Sequence, residues 1–387
     1  MRKPRPPLFA LALIAGALAA PLGAKTVETV IDGKVFGMAE AQVFEEPYDG
    51  PPVVGDIVTM APALAKLAPG NKTHQVRIDI LAREIELAPD LRFQAWTFGG
   101  MSPGPVIHLR EGDRLQFTMK NRSDEEVAIT PPMRDASPFL RSMIEGDLQK
   151  AKASIFPMPH SMDFHAGMVA MSDKWRTIQV GESIRFEFVA NYPGIYLYHC
   201  GTPPVFQHMS MGQYGVVVVS PKDGYPTDPE IDREYVIVQS EYYLKPSSEE
   251  GIYELDYDAA LRKEATIVAF NGHKSALVDH PLIGKPGERI RLYVHNVGPT
   301  DTSSFHVIGT IFDRVWYEGN PANLMRGMQT VLLGASNGAV VEFVIPEAGS
   351  YAFVDHEFAD AAKGAVGKIV NELPPPSSEK KEPEMVH

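Results

Sequence analysis

The chain has 387 residues, a formal net charge of −13 and 44% hydrophobic residues. That length accommodates two domains with cores of their own, and the hydrophobic share is that of a globular protein rather than a disordered one. A surface this acidic argues against nucleic acid and anionic membranes as partners and favours a basic docking partner.

The first 24 residues order Arg2-Lys3-Pro4-Arg5, an apolar run from Leu8 to Ala20, and Leu22-Gly-Ala24. Basic, apolar and small residues in that sequence form a secretory signal. The apolar run is shorter than the roughly 20 residues that span a bilayer. Export to the periplasm is therefore expected, with no membrane span. Residues 25–72, weakly patterned and rich in Pro, Gly and Ala, read as an N-terminal extension. It reads as a tether with one short helix near Met60 to Leu67.

From Thr73 the pattern is that of strands. Val76 to Ile80, Phe93 to Thr97, Arg114 to Thr118 and Ile184 to Phe188 alternate, and Tyr214 to Val219 is a buried-strand run. Turn signals such as Gly99-Gly100, Pro103-Gly104, Glu111-Gly112-Asp113 and Pro193-Gly194 separate them. With 32 glycines and 33 prolines, this is a β-sandwich pattern.

The second half echoes the first. Arg110-Glu-Gly-Asp-Arg-Leu-Gln-Phe117 returns as Lys285-Pro-Gly-Glu-Arg-Ile-Arg-Leu292, and Gly194-Ile-Tyr-Leu-Tyr198 as Gly349-Ser-Tyr-Ala-Phe353. The first copy holds about 20 extra residues between these landmarks. We place them in an insert at about 124–156, with a helix-like piece from Phe139 to Lys150. It reads as a surface loop, with a lid or a docking element as the alternative. The organisation expected is an all-β chain of two sandwich domains, 73–222 and 223–370. The Pro-, Glu- and Lys-rich segment 371–387 is expected to be disordered.

The chemistry gathers at the end of one strand. Cys200 is the only cysteine, so it makes no internal disulfide. A thiolate with two imidazoles and a weak further ligand is a blue-copper electron-transfer set. Neighbours on a strand face opposite ways, so His199 and Cys200 read as a bridge between two metals. His160 and His165 split by the same parity, with Asp163 on the His165 side. One site then takes His160, Cys200 and His208, and the other takes His165 and His199. The second needs a third ligand, for which His306 and His356 are both candidates. Three histidines leave a position open for an exogenous ligand. His295 reads as solvated, on the Arg289, Arg291, Tyr293 face of its strand. His74, His108, His280 and His387 have no partner pattern. Met158, Met162, Met168, Met171 and Met209 read as packing.

Several motifs in order carry a resemblance: Pro159-His160-Ser-Met-Asp163-Phe-His165, Tyr198-His199-Cys200, the His208 loop, Phe270-Asn-Gly-His273, Ser303-Ser-Phe-His306-Val-Ile-Gly309 and Val354-Asp-His356. Over about 73–370 the chain resembles a copper-containing nitrite reductase, of the shorter-loop class by its gap between Cys200 and His208. The resemblance implies two cupredoxin-like Greek-key domains in tandem. It implies type 1 copper on His160, Cys200 and His208, and type 2 copper on His165, His199 and His356. It further implies a homotrimer in which His356 serves a neighbouring subunit, Asp163 and His306 as the proton-handling pair, and Ile308 shaping the nitrite pocket. An electron-donor protein, a cupredoxin or a cytochrome c, would supply the electron. Nitrite would be reduced to nitric oxide, with the electron passing from type 1 to type 2 copper through Cys200-His199.

The chain departs from the family at the axial type 1 position, where Gln213 stands in place of the usual Met. Met211 is the rival ligand, out of position by two residues. Gln implies a lower potential. Two rival functions account for less of the chain. A laccase-like multicopper oxidase needs His-x-His pairs, which the chain lacks. A non-enzymatic blue-copper carrier would leave Asp163, His165, His306 and His356 without a purpose.

Overall fold

The computed structural model describes residues 28–127 and 157–373. The signal segment 1–24, most of the insert 124–156, the tail from 374 and His387 lie outside the described residues.

The fold is all-β, as the alternation predicted. In the first half two five-stranded sheets face each other. One orders Gln42–Glu45, Glu182–Val189, Arg114–Lys120, Thr73–Ile78 and Val53–Val54. The other orders Asp163–Phe164, Gly194–His199, Tyr214–Ser220, Val106–Arg110 and Val58–Thr59. Their inward faces supply one core, with Leu115, Phe117, Ile184 and Phe186 against Leu109, Phe164, Tyr198 and Val217. The second half repeats the plan with a six-stranded and a five-stranded sheet around Leu292, Val294, Phe305, Val341 and Phe353. Strands distant in sequence lie side by side, such as Val106–Arg110 parallel to Tyr214–Ser220, the crossover connectivity of a Greek-key sandwich. The repeated turns match in detail: Gly112 and Gly287 take φ of +92° and +82°, a region open to glycine without strain.

The halves are joined by a third core and a shared sheet. Ile195, Leu197, Val216 and Val218 of the first half pack with Val236, Val238, Tyr293 and Val340 of the second. Ile252–Leu255 pairs in parallel with Leu91–Phe98.

Several expectations from the sequence do not hold. The segment 25–72 is no tether: Gln42–Glu45, Val53–Val54 and Val58–Thr59 each extend a sheet of the first sandwich, so the extension covers strand edges that would otherwise face solvent. The residues near Met60 to Leu67 form no helix. Their polar groups bond outward instead, Pro62 O accepting from Val236 N and Ala65 O meeting His108 Nδ1 at 2.7 Å. The alternating run from Val76 to Ile80 is two strands divided at Asp79, whose buried carboxylate takes Arg77 Nε at 2.8 Å and Arg122 Nη1 at 3.2 Å.

His295 also departs from expectation. It is fully buried, not solvated. Its strand, Arg289–Gly298, is central in its sheet, and the face read as outward packs on the first half, with Tyr293 and Val297 in the joining core. Arg291 stays buried on that face by pairing with Asp228, Glu234 and Glu342. His74 and His108 are buried too, beside Asp113 and between Ala65 O and Ser220 Oγ. Among the expected packing methionines, Met162 is buried, but Met168 and Met171 are exposed.

Both ring nitrogens of His295 are buried without a hydrogen-bond partner among the described residues. Burial, then the nearby His165, pushes its pKa down to about 3, and burial takes His108 down to about 4. The unfolded chain, with histidines near 6.5, then binds more protons than the folded one below that pH. Stability is complete above about pH 6.5 and falls on acidification toward pH 3–4, by up to about 1.4 kcal/mol per pH unit from each group. Urea unfolding of the metal-free protein at pH 7 and pH 5 is expected to show the loss. His295→Leu, which removes a buried group lacking partners, is expected to keep stability at pH 7 and to reduce the loss at pH 5. An unchanged loss would mean that the His295 imidazole is not held neutral.

Candidate metal centres

The strand Gly194–His199 fixes both candidate sites. It pairs on one side with Tyr214–Ser220 and on the other with Asp163–Phe164, whose Asp163 stands opposite His199. Tyr198 turns into the first core and Ile195 and Leu197 into the joining core, so the chain end is held from both faces. Past it, Cys200 N donates to Gln213 O, and Cys200 Sγ lies in the first core.

Four side chains meet at Cys200. The short helix Val205–Ser210 delivers His208, and the bridge to Ile178 holds His160. Cys200 Sγ is 3.3 Å from His208 Nδ1 and 3.9 Å from His160 Nδ1. The two Nδ1 atoms are 3.1 Å apart, and Gln213 Oε1 is 3.1 Å from His208 Nδ1. All four residues are buried. Met211 is displaced from this set, packing beside the cluster of Leu87 and Phe93. Burial pushes the Cys200 thiol up, opposed by the Ser161 and Thr202 amides directed at the sulfur. Burial, reinforced by His208, takes His160 down to about 3, so its imidazole is neutral and able to ligate.

The second group, Asp163, His165 and His199, lies at the edge of the same sheet. His165 Nε2 and His199 Nε2 are 3.2 Å apart, and Asp163 Oδ2 is 4.0 Å from His199 Nε2. His199 Nδ1 lies 2.9 Å from Cys200 O. A carbonyl only accepts, so Nδ1 carries the proton and Nε2 offers a lone pair. Burial, then His199, lowers the His165 pKa, with Asp163 opposing.

Both groups suit a metal. Ligand bonds of about 2.0–2.3 Å set tetrahedral neighbours roughly 3.3–3.8 Å apart, close to the spacings at Cys200. The first set carries the thiolate and imidazoles that suit copper. His306 and His356 join neither group among the described residues. They neighbour each other in the second half, ring centroids 5.5 Å apart, with His356 exposed and Ile308 44% exposed. The Nδ1 of His306 is bonded to Gln329 O.

Two contacts escaped the sequence reading. Trp96 lies against both imidazoles, ring centroids 4.8 Å from His208 and 5.5 Å from His160. Ser336 Oγ, from the second half, is 3.2 Å from His165 Nδ1. Neither has a local pattern, since each reaches its site only through tertiary packing.

Comparison with known proteins agrees with the copper chemistry. Two family models described as multicopper oxidase match residues 82–131 and 160–223. A copper-containing nitrite reductase of Neisseria meningitidis is 33% identical over 324 residues, 82% of this chain and 75% of that one. The chain belongs to the copper-containing nitrite reductase family. The family's enzyme from Cereibacter sphaeroides is 29% identical, over 79% of this chain and 78% of that one. The structure of copper nitrite reductase from Nitrosomonas europaea superposes with a TM-score of 0.63 at 32% identity, over 78% of this chain and 94% of that one. A multicopper oxidase at 24% identity and TM-score 0.61 shares the fold.

Copper binding adds its free energy to folding. With free copper at 100 times its Kd, one site stabilises by about 2.7 kcal/mol. Chelation is expected to lower the Tm and restored copper to raise it. A Tm indifferent to copper would argue against either group as a copper site.

Proposed function

We propose that this chain reduces nitrite to nitric oxide at two copper centres of unlike kind. The observation that carries the reading is the placement of His199 and Cys200, adjacent in the chain, in two separate donor groups. His160, Cys200 and His208, with Gln213 as the fourth ligand, would hold type 1 copper. His165 and His199 would hold type 2 copper with His356 of a neighbouring copy in a homotrimer. Support for that third ligand is the separation of His356 from His165 and His199, together with exposed Ile308, Ile311, Leu332 and Phe358 in the same half. Exposed apolar side chains of this size suit a subunit contact.

Copper supplies a Lewis acid for nitrite and the one-electron redox couple that the reaction needs. The chain does the rest. The Cys200-His199 peptide would give the electron a short covalent route between the donor groups. The reaction consumes nitrite, one electron and two protons, and yields nitric oxide and water. Asp163, whose Oδ2 lies 4.0 Å from His199 Nε2, would hand a proton to the departing oxygen. His306 lies beside His356 and would enter from the same neighbouring copy, with its Nδ1 committed to Gln329 O and its Nε2 left to carry the second proton. Ile308 would limit the substrate pocket. The electron would come from a donor protein, a cupredoxin or cytochrome c, with the chain's acidity favouring a basic docking face. The N-terminal segment 1–24 supports export to the periplasm, where the reaction would contribute to denitrification.

The test is nitric oxide production from nitrite by the copper-loaded protein with an artificial electron donor. Asp163→Asn is expected to lower the rate by about 10²–10⁴-fold. Metal analysis should give two coppers per chain, falling to one in Cys200→Ser, which also loses the blue absorption, and to one in His165→Ala. No activity with both coppers present would sink the nitrite reading. One copper per chain would favour an electron carrier.

Gln213→Met is expected to raise the type 1 reduction potential, read by redox titration of the blue band. An unchanged potential would remove Gln213 from the ligand set.

A further inference from the structure

We infer that Ser336 is a positioning residue for the His165 imidazole, and that through it the second half of the chain holds a ligand of the first. The inference rests on the assignment of His165 and His199 to type 2 copper.

An imidazole that ligates through Nε2 carries its proton on Nδ1, and that proton needs an acceptor to fix the ring's rotation. The two ligands solve this differently. His199 uses the carbonyl of its own neighbour, Cys200, and its side chain is only 12% exposed. His165 is exposed, so packing does little to orient it. Its Nδ1 faces Ser336 Oγ at 3.2 Å while its Nε2 faces His199 at 3.2 Å. The hydroxyl therefore stands on the side of the ring opposite the metal position, where an acceptor belongs.

The backbone around Ser336 is built to keep it there. Ser336 has φ +62°, a left-handed conformation that is strained for a residue with a Cβ. Such strain persists where the surroundings over-determine it, often at functional sites. Ser336 N donates to Asn296 O at 2.9 Å. The buried Asn296 side chain donates to Asp301 O at 2.7 Å and reaches Gly334 O at 3.3 Å. The wall behind has no slack, since a Cβ on Gly338 would come within 2.8 Å of His295 Cδ2 and 2.5 Å of Ile195 Cγ2. A glycine at 336 would meet the same backbone demand without strain. Glycine lacks the hydroxyl.

Two variants of the full-length, copper-loaded protein separate positioning from mere support. Ser336→Ala removes the hydroxyl and keeps the strain; Ser336→Gly removes both. The metal-free Gly variant should be at least as stable to heat as the Ala variant. Copper at the His165 site should nevertheless be lost to a chelator faster in both variants alike, by about 10-fold or more. Its electron paramagnetic resonance signal should shift in both, with the blue band unchanged. Wild-type retention and signal in Ser336→Gly would overturn the inference, as would retention that simply follows thermal stability across the pair. A wild-type protein with no copper removable by His165→Ala would overturn the two-copper assignment itself, and this inference with it.

Discussion

Everything at the centre of this molecule follows from one strand being buried on both faces. Gly194–His199 lies between the core of its own sandwich and the core shared with the second half. A strand with one solvated face could twist or slip at its end. This one cannot, because a shift of one residue would exchange the side chains of both cores. Its terminal pair inherits that rigidity. His199 and Cys200 point to opposite sides because the backbone alternates, and each meets donors that were fixed independently.

The two donor groups are then unlike for a physical reason. Cys200, His160, His208 and Gln213 are sealed in the first core, where burial lowers the pKa of both imidazoles and close packing limits rearrangement. A site of that kind suits electron transfer, since its geometry changes little between redox states. At the sheet edge His165 is exposed and Asp163 is half-buried. The same strand thus serves an enclosed centre and an accessible one, joined by a single peptide.

Much of this was legible in the residues. Period-two alternation gave the strands, the echo of Lys285 to Leu292 gave the repeat, and parity alone separated His160 and Cys200 from His165 and His199. What escaped depends on partners remote in sequence. His295 sits at an apparently polar phase of its strand, and nothing local says that the first half covers that face. Residues 25–72 have weak periodicity because their short strands complete edges built by other segments. Ser336 reads as a loop serine. Asp79 divides a run that alternates perfectly, because the guanidinium groups that hold its carboxylate come from Arg77 and Arg122.

The second half clarifies what the first requires at Cys200. If Gly349 is set on Gly194, Asp355 takes the place of Cys200, and strand pairing sets His306 on Asp163, since Val354 faces His306 as His199 faces Asp163. The surroundings of the two acceptors also agree. Ser161 N is directed at Cys200 Sγ at 3.4 Å, and Ser304 N at Asp355 Oδ1 at 2.9 Å. The Thr202 amide bonds the sulfur, and Glu357 N bonds Asp355 Oδ1 at 3.1 Å. Each copy therefore aims two amides at one buried acceptor. Burial raises both pKa values, and those amides oppose it. In the second copy Gln239 Nε2 meets the other carboxylate oxygen at 2.7 Å, so the acceptor is satisfied by protein alone. In the first copy His160 and His208 stand around the sulfur instead, and each leaves a buried Nε2 without a partner among the described residues. The amide pair belongs to the fold, since both halves have it. The imidazoles are particular to the first half, and they turn a buried acceptor held by two amides into a donor set that suits copper.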